Sequence, residues 1–291
     1  VKKDHLLPFI FEEHPIKGSI VILDDSWQKA IKNHSYPSII EDILGELLAC
    51  SVLFSSSLKF DGSFSIQIQG TGPIRMLIAE CNSKLQIRAT ASLDQDYNFT
   101  TSSSTFLELI DNANLIISIN PRKSNNAYQS MVPLISNSIE EIFESFLLQS
   151  EQVASRIKLF SQDGVIGGIL LQKLPSEIEE ESSSSLWDHL SLALESCYFA
   201  DLKDSETVLS SLAQNEELRL FSQKSISFSC NCTREKISEI LQTLGEIEAK
   251  DIIKNEGSIK VTCEFCQETQ EFDSIDVATL FSQTKGPGSI H

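Results

Sequence analysis

Four cysteines in two close pairs, Cys230-Asn231-Cys232 and Cys263-Glu264-Phe265-Cys266, are the residues whose type and spacing point most directly to chemistry. Two such pairs supply the four thiolates that close one tetrahedral site around Zn²⁺. Ile259 and Val261 alternate as in a strand running into Cys263, so the second pair is expected to form a zinc knuckle. Residues 233–262 carry two short helical patterns and no further ligand candidate. The expected cofactor is one Zn²⁺ held by Cys230, Cys232, Cys263 and Cys266.

Such a site has two uses. It can be purely architectural, which is the commoner fate, or it can be a redox switch. A bound metal keeps the sulfurs deprotonated, and the thiolate is the form that oxidants attack. Oxidation to disulfides would remove the ligands and expel the ion. A small domain would then unfold, because a metal-binding free energy of about 10–16 kcal/mol is also its folding free energy. The Cys-x-Cys spacing is tighter than the usual Cys-x-x-Cys knuckle and hints at the switch, but spacing alone leaves both uses open.

The elements that position these residues are read from the rest of the chain. Its 291 residues suggest about two domains. A net charge of −18 argues against nucleic acid, which needs a basic face. No run of about twenty apolar residues predicts a membrane span. The opening Val1-Lys2-Lys3-Asp4-His5 leads into a mixed segment unlike a secretory signal. Cys50, Cys81 and Cys197 are scattered rather than arranged as a disulfide framework. A soluble cytoplasmic protein is expected.

Residues 1–176 read as an N-terminal α+β core domain. Strands are predicted at Ile16 with Ser19–Leu23, around Phe64, Ile66 and Ile68, and over 74–79, 85–90, 115–119, 157–160 and 165–172. Pro37 opens a helix carrying Ile40, Ile43, Leu44, Leu47 and Leu48, and a second amphipathic helix is predicted over 138–154. Strands come in consecutive runs, so a mixed, largely antiparallel sheet with flanking helices is favoured over a doubly wound fold.

Residues 177–224 read as an acidic helical linker. From Glu177 to Arg219 there are eleven acidic and two basic side chains, a net of −9, half the charge of the chain in 43 residues. Leu186, Leu190, Ala193 and Cys197 nonetheless recur at helical spacing, widened by Leu194, Tyr198 and Phe199, and Val208, Leu209 and Leu212 suggest a second short helix. This segment has enough apolar surface to dock and enough like charge to be marginal. It is either a solvated connector or a segment folded only while its neighbours hold it.

Residues 225–291 read as the metal domain. A helix over 233–244 is expected to bury Ile237, Ile240, Leu241 and Leu244 and to stop at Gly245. A second helix ends near Gly257, Val277, Leu280 and Phe281 suggest a last helical turn, and Gly286-Pro287-Gly288 marks a frayed tail.

Other constellations carry less. Gly70-Thr71-Gly72-Pro73 lacks the Gly-Lys-Ser/Thr ending of a phosphate loop and is expected to be a turn between strands. Gly167-Gly168 lies in an apolar strand and suggests close packing. His5, His14, His34, His189 and His291 form no metal motif and no triad. Cys50, Cys81 and Cys197 are expected to be buried spectators. No catalytic constellation is found, so no enzyme is expected.

Taken together, the segments resemble the redox-regulated 33-kDa heat-shock chaperonin family over nearly the whole chain. The C-terminal part carries the likeness in Phe228-x-Cys230-x-Cys232-x-Arg234, Val261-x-Cys263-Glu264-Phe265-Cys266 and Phe272-Asp273. The body carries it in Leu44-Gly45-Glu46, Leu58-Lys59, Gln69-Gly70-x-Gly72-Pro73, Tyr128-Gln129-x-x-Val132-Pro133, Ser150-Glu151-Gln152 and Gly167-Gly168 through Leu174-Pro175. Phe146, Ser130 and Gln270 depart from the family pattern, and the four cysteines keep it.

The resemblance implies an ATP-independent holdase, inactive when reduced and zinc-bound. It implies disulfides Cys230–Cys232 and Cys263–Cys266 on oxidation, loss of Zn²⁺, and unfolding of the C-terminal domain and linker. Unfolding client proteins would then bind to exposed apolar surface, with Leu186, Trp187, Leu190 and Leu194 as participants. It further implies a homodimer on oxidative activation and handover of clients to ATP-dependent foldases. The rival readings are a zinc-ribbon nucleic-acid-binding regulator and a thiol-disulfide oxidoreductase.

Overall fold

A computed structural model of the protein describes residues 4–57, 61–99, 105–122, 127–175, 181–196, 205–213 and 216–283. Cys197, Tyr198, Phe199, His291, the acidic run 177–180, the 58–59 pair and the Gly-Pro-Gly tail lie outside them. Contacts divide the chain into two units, Val1–Ser229 and Cys230–His291. Residues of the 177–224 segment therefore pack with the first unit.

The first unit is built on two sheets that share one helix. One sheet has β1 (His5–Phe11), β2 (Ile16–Leu23), β8 (Ser155–Gln162), β9 (Val165–Lys173) and β10 (Leu218–Leu220) in the order β10-β1-β2-β9-β8, with β11 (Lys224–Ser225) also paired to β1. The other has β3 (Gly62–Gln69), β4 (Ile74–Asn82), β5 (Gln86–Leu93), β6 (Asn114–Pro121), β7 (Tyr128–Pro133) and β12 (Ser227–Phe228) in the order β12-β5-β4-β3-β6-β7. Pairing is antiparallel throughout both sheets except for the parallel β12–β5 contact. The α+β class agrees with the sequence expectation, with the strands divided between two sheets.

Helix α2 (Ser38–Ser57) packs between the sheets, and Leu44, Leu47, Leu48, Val52 and Leu53 are all buried in the resulting core. Its apolar residues run almost all round it, as a helix enclosed on two sides requires. Helices α1 (Asp25–Ile31) and α3 (Phe106–Ile110) are short, and α4 (Ile139–Ser150) is capped by the Ser138 hydroxyl, which accepts from the Glu141 amide. Glu140 and Glu144 on α4 accept hydrogen bonds from the Leu159 and Ile157 amides of edge strand β8, at 2.8 and 2.7 Å. An otherwise bare edge is thereby covered.

Helices α5 (Glu181–Glu195) and α6 (Ser205–Ala213) lie over the other face of the first sheet. Leu190, Leu194, Val208, Leu209 and Leu212 are buried there against Phe9, Phe11, Ile16, Ile20, Ile169 and Leu171. The run of four serines, which reads as linker in the sequence, is the first turn of α5. Strand β1 and the short β7, α1 and α3 carry no clear periodic signal. In β1 Pro8 interrupts the sequence pattern though not the strand, and β7 is a mostly exposed edge strand.

The 70–73 segment is the expected turn between strands, and it needs its glycines for a close approach. A Cβ on Gly70 would lie 1.8 Å from the Ile110 carbonyl oxygen, and one on Gly72 2.5 Å from that of Leu109. Gly167 and Gly168 likewise admit the Phe160 ring and the Leu159 side chain against β9.

Glu46, on α2, faces Glu140 and Asp42 in a half-buried setting. Burial, then those two carboxylates, raise its pKa to about 7, against the pull of Lys158. Both positions are open to test through stability. Gly70→Ala should lower the unfolding free energy by about 1–3 kcal/mol in urea titration, since backbone must move to admit the methyl group. Glu46 binds its proton more tightly folded than unfolded, so its favourable contribution is complete below about pH 4.5 and is lost as pH rises through about 7. Glu46→Gln should therefore stabilise the protein by roughly 1–3 kcal/mol at pH 8 and by nothing measurable near pH 4, read from urea midpoints across that range.

Candidate metal centre

The second unit opens immediately after β12. Thr233 caps α7 (Arg234–Leu244), its hydroxyl accepting from the Lys236 amide, and Gly245, at φ +101°, breaks the chain before α8 (Glu246–Glu256). Gly257, left-handed at φ +82°, ends α8 and leads into β13 (Ile259–Thr262). β13 pairs with β14 (Thr269–Phe272), and α9 (Ser274–Gln283) closes the unit. The core is small: Ile237, Leu241, Ala249, Ile259, Phe272, Val277 and Phe281.

One sequence expectation fails here. Ile240 and Leu244 are 62% and 48% exposed, while Ile237 and Leu241 are buried. Only the i, i+4 pair on one edge of the α7 stripe meets the hairpin and α9. The expected last helical turn is a ten-residue helix, α9.

Between β13 and β14 the chain makes a tight knuckle. The Cys263 amide donates to the Glu268 carbonyl at 2.9 Å, the Gln267 amide donates back to the Cys263 carbonyl at 2.8 Å, and Gln267 takes a left-handed φ of +56°. This turn brings Cys263 and Cys266 to one side. Cys230 and Cys232, in the arm before α7, meet them there.

The four Sγ atoms all lie within 4.8 Å of one another. The Cys230–Cys263 separation is 3.6 Å and the Cys232–Cys266 separation 3.2 Å. A tetrahedron with metal–sulfur bonds of about 2.3 Å has edges of about 3.8 Å, so these sulfurs could hold a metal ion. All four predicted ligands thus converge on one point, and they are the one such group among the described residues.

The local electrostatics fit that use. Burial opposes ionisation of Cys263, but hydrogen bonds from the Cys266 and Phe265 amides and from the neighbouring thiols hold its pKa below the ordinary thiol value. Burial pushes Cys266 up to about 11 despite the Glu268 amide, and burial with the Cys266 and Cys230 sulfurs pushes Cys232 higher still. Four thiolates cannot share so small a space without a cation, and knuckle amides aimed at sulfur favour the charged form.

Arg234 braces the centre, a role its sequence position does not announce. Its guanidinium donates to Asp276 at 2.7 Å and to the Glu271 carbonyl at 2.9 Å, and lies 4.2 Å above the Phe272 ring. The start of α7 is thus tied to β14 and α9, fixing the arm that bears Cys232. Cys263 comes after a strand and enters a hairpin turn rather than opening a helix, unlike the reactive pair of a thioredoxin-like site.

The remaining sequence candidates lie in the first unit. Leu190 and Leu194 are fully buried in α5, and Leu186 and Trp187 are partly buried at the same face. Cys50 and Cys81 are buried, and burial raises both thiols, Cys81 to about 12. His5 Nε2 lies 2.6 Å from the Ser205 hydroxyl, and His14 lies 3.0 Å from that of Ser183 and 3.1 Å from the Glu216 carboxylate. Both histidines on the N-terminal strand and turn therefore fasten the covering helices, a role found only once the fold brings residues some 170 to 200 positions apart together.

Comparison with known proteins agrees with the architecture. The family model described as Hsp33 protein matches residues 4–273. The 33 kDa chaperonin of Methylobacillus flagellatus is 35% identical over 282 residues, covering 96% of this chain and 94% of that protein. That of Shewanella sediminis is 34% identical over 287 residues, covering 99% of each. The crystal structure of the 33 kDa chaperonin from Thermotoga maritima shares the fold with a TM-score of 0.83 at 22% identity, over 97% of this chain and 99% of that one. This chain belongs to the Hsp33 family of 33 kDa chaperonins.

Proposed function

We propose that the protein is a redox-regulated, ATP-independent holdase whose four-cysteine centre binds one Zn²⁺ and governs access to the apolar face beneath α5 and α6. The observation that carries this reading is that the face is apolar, continuous across β1, β2 and β9, and covered by the most acidic segment of the chain. The Hsp33 family membership supplies the chaperone function.

Bound zinc would supply the counter-charge and the cross-link that hold four thiolates together. Cys230, Cys232, Cys263 and Cys266 are its ligands in this reading. Oxidation by a peroxide-class oxidant takes two electrons from each cysteine pair and forms one disulfide per pair, leaving no thiolates to ligate. The family resemblance pairs Cys230 with Cys232 and Cys263 with Cys266. Once the second unit loosens, loop closure also favours partners two or three residues apart over partners more than thirty apart.

Among its described residues the second unit has a core of seven apolar side chains, too few to order it alone. Its unfolding releases the 225–229 connection to the sheet, and the like charge of 177–224 then favours departure of the linker. Functionally the chain so divides into a 1–176 core, a 177–224 linker and a 225–291 switch domain. Phe9, Phe11, Ile20 and Ile169 on the sheet, and Leu186, Trp187, Leu190 and Leu194 on the released helix, offer apolar surface to unfolding clients. In this reading the active form is a homodimer, works in the cytoplasm and passes clients to ATP-dependent foldases. No helix of the described residues is long and apolar enough to cross a membrane.

Light scattering from a thermally unfolding client tests the reading. The reduced, zinc-loaded protein should leave aggregation unchanged. The peroxide-treated protein should suppress it, with one equivalent of Zn²⁺ appearing on a chromogenic chelator. Suppression by both forms alike, or full zinc retention by reduced Cys230→Ser and Cys266→Ser variants, would sink it. A second outcome concerns the cover itself. Leu190→Ala with Leu194→Ala removes packing of about 2–5 kcal/mol per site, so the reduced double variant should suppress aggregation without oxidant. A reduced variant as silent as the parent chain would show that α5 does not restrain activity.

A further inference from the structure

A cavity of about 180 Å³ lies on the other side of the β1–β2–β9 sheet from α5 and α6, lined by Pro8, Ile10, Lys17, Leu170 and Phe221 and by Ser56 in the last turn of α2. Lys17 alternates with Ser19 and Val21 on the strand face that joins the α2 core. In register it stands between Ile10 on β1 and Gln172 on β9, both cavity residues. The cavity belongs wholly to the first unit and is separate from the cysteine centre.

Lys17 is the unusual member. It is half-buried, and its side chain makes no hydrogen bond or ion pair among the described residues. Burial lowers its pKa, and no carboxylate acts in the opposite direction. An ammonium taken from water without a partner is unfavourable, and an anion delivered to it recovers that loss. Most of the wall is apolar, from Phe9, Ile10, Leu170 and Phe221, with Ser19, Ser56 and Gln172 its polar members, so the anion that fits carries a hydrocarbon tail.

We propose that this cavity binds a small saturated monocarboxylate, its carboxylate on the Lys17 ammonium and its tail along Ile10, Leu170 and Phe221. An apolar cavity of about 150 Å³ accommodates benzene, so this somewhat larger one, open at its mouth, takes a tail of about six to eight carbons. A dicarboxylate would desolvate a second charge with nothing to meet it. An alkylammonium would set like charge against Lys17.

Calorimetric titration of the full-length reduced protein with octanoate, octanamide and octylammonium tests the assignment. Octanoate should bind one to one with a Kd of about 0.1–1 mM. Octanamide should bind about tenfold more weakly or not at all, octylammonium should give no saturable signal, and Lys17→Met should weaken octanoate by about tenfold. Equal affinities for octanoate and octanamide, or an unchanged octanoate affinity in a Lys17→Met protein with a normal cooperative melt, would overturn it. So would the absence of octanoate binding up to about 10 mM. If Lys17→Met does not fold, the acid–amide comparison on the unaltered chain decides. The assignment does not depend on the holdase reading.

Discussion

The structure turns on an asymmetry between its two sheets. On the β3–β4–β5–β6 sheet the face turned away from α2 is mixed: Ser63, Ser65, Gln67 and Gln69 on β3 and an Arg88–Glu80 pair across β4 and β5 stand beside Met76, Ile78 and Ile116. That face can meet water. On the β1–β2–β9 sheet both faces are apolar, one against α2 and the other against α5 and α6. A sheet apolar on two faces must be covered on both. The core supplies one cover permanently; the other comes from a segment that carries half the net charge of the chain.

That second cover is held by a mixture of forces. Five buried aliphatic side chains provide most of its docking area. Polar fastenings lie at its ends: His5 to Ser205, His14 to Ser183 and Glu216, and Arg219 to Glu12 through two contacts of 2.6 and 2.7 Å. The Arg219–Glu12 pair is exposed and contributes little. β10 and β11, which follow the cover in the chain, pair with β1 at the edge of the same sheet.

How much of this is legible in the sequence depends on the local signal each element carries. Alternation marks β3, β5 and β8, short apolar runs mark β4, β6 and β9, and the enclosed helix α2 announces itself through Pro37 and a dense apolar run. The cysteine centre is readable because ligand chemistry constrains residue type and spacing more tightly than packing does. β1 escapes detection because Pro8 interrupts its alternation, although its pairing with β2 is continuous from His5 to Ile10. Periodicity overstates the burial of Ile240 and Leu244 because it identifies a stripe without saying how wide a partner that stripe meets. Arg234, His5 and His14 act through contacts from 37 to 202 positions distant, which no window of sequence contains.

The division of cysteines between the units also has a chemical consequence. Cys50 lies on α2 one turn after Glu46, and burial, Glu140 and Glu46 all raise its pKa. Cys81 on β4 is raised to about 12 by burial, with only the Ser55 hydroxyl opposing. Thiolate is the reactive species, so both remain chemically silent while the first unit is folded. In the second unit Cys263 is held below the ordinary thiol range by knuckle amides, and Cys230, Cys232 and Cys263 are partly exposed. In the holdase reading proposed above, oxidant would meet reactive sulfur at the cysteine centre first. The first unit is protected from the same chemistry by the burial that makes it a stable platform.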